Sequence, residues 1–186
     1  MNKRKTIFFA HSAGRQDGQG QGSYDLVQNL RNELADQFDV LYPIIKSPDA
    51  PSYENWSAVL AEEFPKLQSP VILVGHSLGG SVLLKYLSEN PVNIKVSGLF
   101  LVATPYWGEA GWNAEEFMLR EDFKKTLSHR SPIYLYHGIG DTVVPFQHLD
   151  FYRNAFKRAW VRELATDDHI FSEGLPELVV DIKRLT

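Results

Sequence analysis

An apolar tetrapeptide, Val71-Ile72-Leu73-Val74, runs directly into Gly75-His76-Ser77-Leu78-Gly79-Gly80, and this junction limits the fold more than any other stretch of the chain. The four apolar residues, mostly β-branched, read as a central parallel strand buried on both faces. Beyond the glycines, Val82, Leu83, Tyr86 and Leu87 recur at helical spacing, and Asn90-Pro91 ends the segment. Strand, sharp turn and helix in this order match the G-x-S-x-G turn that holds a serine hydroxyl up at the end of a sheet. The serine backbone in such a turn is strained, so its neighbours must be small, as Gly75 and Gly79 are. Ser77 then sits where a helix begins, with the Leu78 N–H free to donate to a developing oxyanion. A glycine-rich strand-to-helix turn carrying an ordinary serine has the same residues, and it is the flanking strand and helix that favour the reactive reading.

The rest of the chain repeats the same alternation. Short apolar segments at residues 6–10, 40–42, 96–102, 133–136 and 160–164 read as further strands. Between them lie amphipathic stretches: Leu26, Val27, Leu30 and Leu34 behind a candidate N-cap at Ser23; Trp56, Leu60 and Phe64 at four-residue intervals; Leu149, Tyr152 and Phe156 in a helix starting at Pro145; and Leu178, Ile182 and Leu185 after Pro176. Residues 104–130, with Trp107, Trp112, Phe117 and Phe123 among many charges, read as a small excursion with short helices. The pattern predicts a three-layer α/β/α sandwich around a mostly parallel sheet of about six strands. With 186 residues, 44% of them hydrophobic, and no linker-like segment, residues 1–186 read as one domain.

Composition excludes several classes of function. The net charge is −4 and the basic residues are scattered, which argues against a nucleic-acid partner. No apolar run approaches the ~20 residues of a membrane span, and the short apolar segment after Lys3-Arg4-Lys5 ends in His11 rather than in a cleavage site. The chain contains no cysteine, which removes disulfides, thiol nucleophiles and thiolate metal sites; a cytoplasmic setting is the expectation. No histidine pair has metal-ligand spacing and no phosphate-cradling G-x-x-x-x-G-K-[ST] is present, so neither a metal nor another cofactor is expected.

A serine hydroxyl needs a base beside it and a carboxylate to orient that base. In open parallel sheets such groups follow strands. Asp141 does so in His137-Gly138-Ile139-Gly140-Asp141, and His169 in Asp167-Asp168-His169-Ile170-Phe171. Asp167 and Asp168 rival Asp141, but sequence neighbours rarely face each other's ring nitrogen. The order Ser77, Asp141, His169 is the one expected behind this kind of elbow.

Taken together, GHSLGG, HGIGDTVVP and DDHIF give the chain a resemblance to the α/β-hydrolase superfamily, over nearly everything from Ile7 to Leu185. Its short length and lack of a large cap are similar to the small serine hydrolases grouped around retinoblastoma-binding protein nine. The resemblance implies Ser77 as nucleophile, His169 as general base and acid, and Asp141 as the group orienting the imidazole. It places the second oxyanion donor in His11-Ser12-Ala13-Gly14, where Ser12 stands in place of the usual glycine; Ala13 is favoured over Ser12. It further implies a small-molecule carboxylic ester or thioester as substrate, cleaved through an acyl-enzyme. A haloperoxidase or carbon–carbon bond hydrolase would use the same groups. A hydrolase-fold protein whose main task is binding a protein partner is the alternative from another class, although the L-x-C-x-E docking motif cannot occur without cysteine.

The remaining candidates have plainer readings. Trp107 and Trp112, with His11 and His76, are candidates for a substrate pocket, while packing serves the tryptophans and hydrogen bonding serves His76 equally well. His137 reads as the end of a buried strand, and His129 and His148 as surface or helix residues. The glycine-rich stretch at residues 14–22 is expected to be mobile and to flank the mouth of the site.

Overall fold

The computed structural model describes residues 4–127 and 131–185; His129 lies outside them. Six strands form one sheet, β1 (Lys5–Ala10), β2 (Phe38–Leu41), β3 (Val71–His76), β4 (Val96–Val102), β5 (Ile133–Gly138) and β6 (Trp160–Leu164), in the order β2-β1-β3-β4-β5-β6. Every neighbouring pair is parallel, so the sheet is wholly rather than mostly parallel. Among the described residues five α-helices connect successive strands, α1 (Tyr24–Leu34), α2 (Tyr53–Glu63), α3 (Leu78–Glu89), α4 (Phe123–Leu127) and α5 (Gln147–Ala155), and a sixth, α6 (Pro176–Lys183), follows β6.

Side-chain alternation in the strands builds the three layers. Phe8, Ala10, Leu73, Leu99, Leu101 and Leu135 point to one face, where they meet Trp56 and Leu60 of α2, Leu83 and Leu87 of α3, Phe123 of α4 and Tyr152 of α5. Ile7, Phe9, Ile72, Val74, Phe100 and Val102 point to the other, against Leu26 and Leu30 of α1 and Leu178 and Ile182 of α6. β3 is buried along its whole length, as its unbroken apolar run requires. Each Val, Leu, Ile or Phe side chain so enclosed contributes about 1.5–3 kcal/mol relative to exposure. No helix among the described residues is long and apolar enough to cross a membrane.

Three local expectations shift. β2 begins at Phe38, because its register pairs Lys5 with Phe38 and Phe8 with Leu41 and so leaves Tyr42 beyond the ladder. α5 begins at Gln147: Pro145 precedes it in a turn, where its carbonyl accepts from His148 N–H at 3.0 Å. Ser23 occupies the N-cap of α1 without capping it through its side chain; the hydroxyl is committed elsewhere, as described below. The strand order reverses between β1 and β3, which makes the carboxyl ends of these two strands the crevice in which sheets of this kind bind ligands.

Candidate active site

At the end of β3 the chain turns into α3 through Ser77, whose φ of 50° and ψ of −122° cost a non-glycine residue on the order of 1–3 kcal/mol. The surroundings enforce this conformation. Ser77 N–H donates to Val102 O at 2.8 Å, and Ser77 O accepts from Gly80 N–H at 3.0 Å. A Cβ on Gly79 would lie 1.9 Å from Ala10 O, and one on Gly75 would lie 2.5 Å from Gly80 Cα. The start of α3 is thus wedged against the end of β1 and holds Ser77 at the sheet's carboxyl edge. Leu78 occupies the first position of α3, where the backbone N–H has no intrahelical acceptor.

Ser77, His169 and Asp141, 92 and 28 residues apart along the chain, meet at this edge. His169 Nε2 lies 3.0 Å from Ser77 Oγ, and His169 Nδ1 lies 2.7 Å from Asp141 Oδ2. The other carboxylate oxygen of Asp141 accepts from Val143 and Val144 N–H, each at 2.9 Å. Burial by itself would raise the Asp141 pKa, but the hydrogen bond and charge of His169 together with these two amides outweigh it and hold the carboxyl below its ordinary value. Asp168 faces away into its own loop, accepting from Ile170 N–H at 3.0 Å and from both the backbone and the hydroxyl of Ser172. His137 is the penultimate residue of the buried strand β5, and its Nε2 donates to Val144 O at 2.7 Å.

The loop after β1 distinguishes its candidate donors. Ser12 N–H donates to Ser23 Oγ at 2.9 Å and Gly14 N–H donates to Pro48 O at 2.8 Å, whereas Ala13, exposed between them, has an N–H with no acceptor among the described residues. The glycine-rich stretch that follows is tied down by Gln16, which is buried. Its amide donates to Ser12 O and Gly14 O, and its oxygen accepts from Ser23 N–H and the Tyr42 hydroxyl. Gln16, Ser23 and Tyr42 thus shape the site, although the sequence marked none of them for it and Ser23 only as an N-cap. Gly22 carries the only local signal: a Cβ there would meet the Gln16 amide at 2.1 Å.

Two of the pocket candidates need correction. His11 and His76 are wholly buried and line no open pocket. His11 Nε2 accepts from Ile45 N–H at 3.3 Å and the ring packs against Trp56; burial lowers its pKa to about 4. Trp107 donates from Nε1 to Ser81 Oγ at 2.9 Å, one turn along α3 from Ser77, and packs against Trp112 and Phe117. The two tryptophan rings meet edge to face, 5.1 Å between centroids, and both stay partly exposed. His148 is a helix residue but not a surface one: it is fully buried in α5 and accepts from Tyr106 N–H at Nδ1. No group of three His, Asp or Glu side chains among the described residues is arranged to hold a metal ion.

The parallel sheet, the strained elbow after β3 and the acid and histidine loops after β5 and β6 define an α/β-hydrolase fold. The chain belongs to the serine hydrolase family, whose model matches residues 30–172. Among solved structures, the ydeN gene product from B. subtilis is similar over 97% of this chain and 98% of its own, with a TM-score of 0.78 at 19% identity. An esterase from Exiguobacterium antarcticum aligns over 99% of this chain and 92% of its own, with a TM-score of 0.69 at 15% identity. A serine hydrolase involved in carbazole degradation aligns over 98% and 91%, with a TM-score of 0.67 at 13% identity. No curated protein sequence matches the chain.

Proposed function

We propose that this protein hydrolyses carboxylic esters or thioesters of small molecules through Ser77, His169 and Asp141, by way of an acyl-enzyme. The observation that carries this reading is the unbroken contact from Ser77 Oγ to His169 Nε2, at 3.0 Å, and from His169 Nδ1 to Asp141 Oδ2, at 2.7 Å. His169 accepts the Ser77 proton as the oxygen attacks the acyl carbon. The resulting imidazolium is stabilised by the Asp141 carboxylate, which orients the ring without taking the proton. The carbonyl oxygen, now negative, is received by the Leu78 and Ala13 N–H groups; losing one such donor costs about 3 kcal/mol of transition-state stabilisation. The C–O or C–S bond to the leaving group then breaks as His169 returns the proton. Water, deprotonated by the same imidazole, releases the acid and restores Ser77.

A panel of p-nitrophenyl esters of short acids tests the proposal. The purified protein is expected to hydrolyse them, and Ser77→Ala to reduce turnover to background while preserving the circular dichroism spectrum. A wild type inert to the whole panel, or a Ser77→Ala variant as active as wild type, would overturn it.

A further inference from the structure

One buried imidazole in the site is not used by the reaction above. His76 immediately precedes the nucleophile, is wholly buried, and makes two hydrogen bonds. Its Nε2 is 2.8 Å from the His169 carbonyl oxygen, and its Nδ1 is 2.8 Å from Ser23 Oγ. A carbonyl oxygen only accepts, so Nε2 carries the ring proton. The ring is neutral, since burial and then the neighbouring His169 lower its pKa to about 3, so Nδ1 is bare and accepts the Ser23 hydroxyl proton. With its proton committed, the Ser23 oxygen accepts from Ser12 N–H at 2.9 Å and from the Ser12 hydroxyl at 3.2 Å. All three bonds are therefore directed: Ser12 N–H to Ser23, Ser23 O–H to His76, His76 N–H to His169 C=O. This strut starts in the loop that presents Ala13 N–H and ends on the backbone of the histidine that faces Ser77.

We propose that His76 is a positioning residue, fixing the His169 backbone and the loop bearing Ala13 relative to one another so that imidazole and oxyanion donor converge on the same Ser77. The proposal rests on the hydrolase reading of Ser77 and His169. It also gives Ser12 a role: its N–H, unavailable to substrate, anchors the far end of the strut. The His76 ring lies 5.3 Å from the ring of His169 and 5.8 Å from that of Phe171. Phenylalanine would serve equally well if the ring only filled space, whereas two hydrogen bonds of fixed direction need more than shape.

The test is steady-state ester hydrolysis and fluorophosphonate labelling by the wild type, His76→Phe, His76→Gln and Ser23→Ala. Loss of alignment at a reacting centre costs up to about 100-fold. His76→Phe is expected to lower kcat by about 10- to 100-fold with KM within about twofold. His76→Gln, whose amide N–H can reach the His169 carbonyl, is expected to recover most of that loss, and Ser23→Ala to lower kcat by about tenfold. Wild-type kcat in His76→Phe, a change confined to KM, or a His76→Gln variant no better than His76→Phe would overturn the proposal. Should His76→Phe not fold, nitrogen NMR of the wild type decides: a bare Nδ1 and a protonated Nε2 are expected for His76, and the opposite tautomer would overturn it. Failure of the hydrolase reading looks different, because the wild type itself would then resist the fluorophosphonate.

Discussion

Asp141, in the turn after β5, and Asp181, in α6, are both buried carboxylates held by several donors, and β5 supplies part of the surroundings of each. Asp141 receives His169 Nδ1 and two backbone amides. Asp181 receives the Tyr136 hydroxyl at 2.8 Å, Arg162 through two nitrogens at 3.0 and 2.8 Å, and Arg184 at 3.2 Å. In both cases burial pushes the pKa up and the donors more than compensate, leaving it below the ordinary value. The partners set the two apart. Guanidinium groups stay charged at any ordinary pH, so Asp181 is clamped permanently. Asp141 is paired instead with an imidazole, which in the proposed reaction takes the Ser77 proton and so changes the charge of the pair. The same arrangement of donors thus gives a fixed brace between α6 and the sheet and, on the proposed reading, a pair that changes charge at the sheet's carboxyl edge.

That comparison is broken most sharply by removing each carboxylate in turn. Asp141→Asn is expected to lower kcat for ester hydrolysis by about 10³- to 10⁴-fold, measured by steady-state kinetics, with a cooperative melt retained. Asp181→Ala is expected to leave kcat within about twofold and instead to cost about 1–3 kcal/mol of stability, because it strands the buried Tyr136 hydroxyl; chemical denaturation measures this. If both losses fell on activity, or both on stability, the division between switch and brace would be lost.

Acid titration of stability sharpens the comparison further. His76 and His11, with pKa values lowered from 6.5 to about 3 and about 4, stay neutral in the folded chain while their unfolded counterparts protonate. The unfolded state binds more protons, so stability is present above pH 6.5 and is lost as pH falls toward the folded values. Asp141 and Asp181, also depressed, add their losses only below the ordinary carboxylate value of 3.8. Thermal melting is therefore expected to weaken in two stages, the histidine stage first, and His76→Phe to make the first stage shallower. The smallest effect is expected at Asp168, which accepts only from its own loop: Asp168→Asn should change kcat by less than about threefold, since no reacting atom loses a partner. A loss as large as that of Asp141→Asn would reassign the orienting acid.

The parts of this arrangement that periodicity or a turn encodes were readable in the sequence. Val71-Ile72-Leu73-Val74 announced a doubly covered strand because both faces had to be apolar, and Gly75 and Gly79 announced the elbow because no Cβ fits beside Ala10 O or Gly80. Asp141 and His169 could be chosen because each follows a strand. The scaffold around them was not legible. Ser23 resembles an N-cap by position, yet its hydroxyl is drawn to Ser12 and His76 by long-range contacts that no local pattern records. Gln16 sits in a polar, glycine-rich stretch that suggests mobility, and only folding brings it against Ser23 and Tyr42. His148, read as a surface or helix residue, does lie in a helix, but the post-β4 segment with Tyr106 and Trp112 covers it.

Mass spectrometry of the protein after treatment with a fluorophosphonate addresses the central reading most directly. One adduct per chain on the peptide containing Ser77 is expected, formed far more slowly in His169→Ala and Asp141→Asn. An unmodified wild type, or labelling of Ser77 at an undiminished rate in His169→Ala, would contradict it.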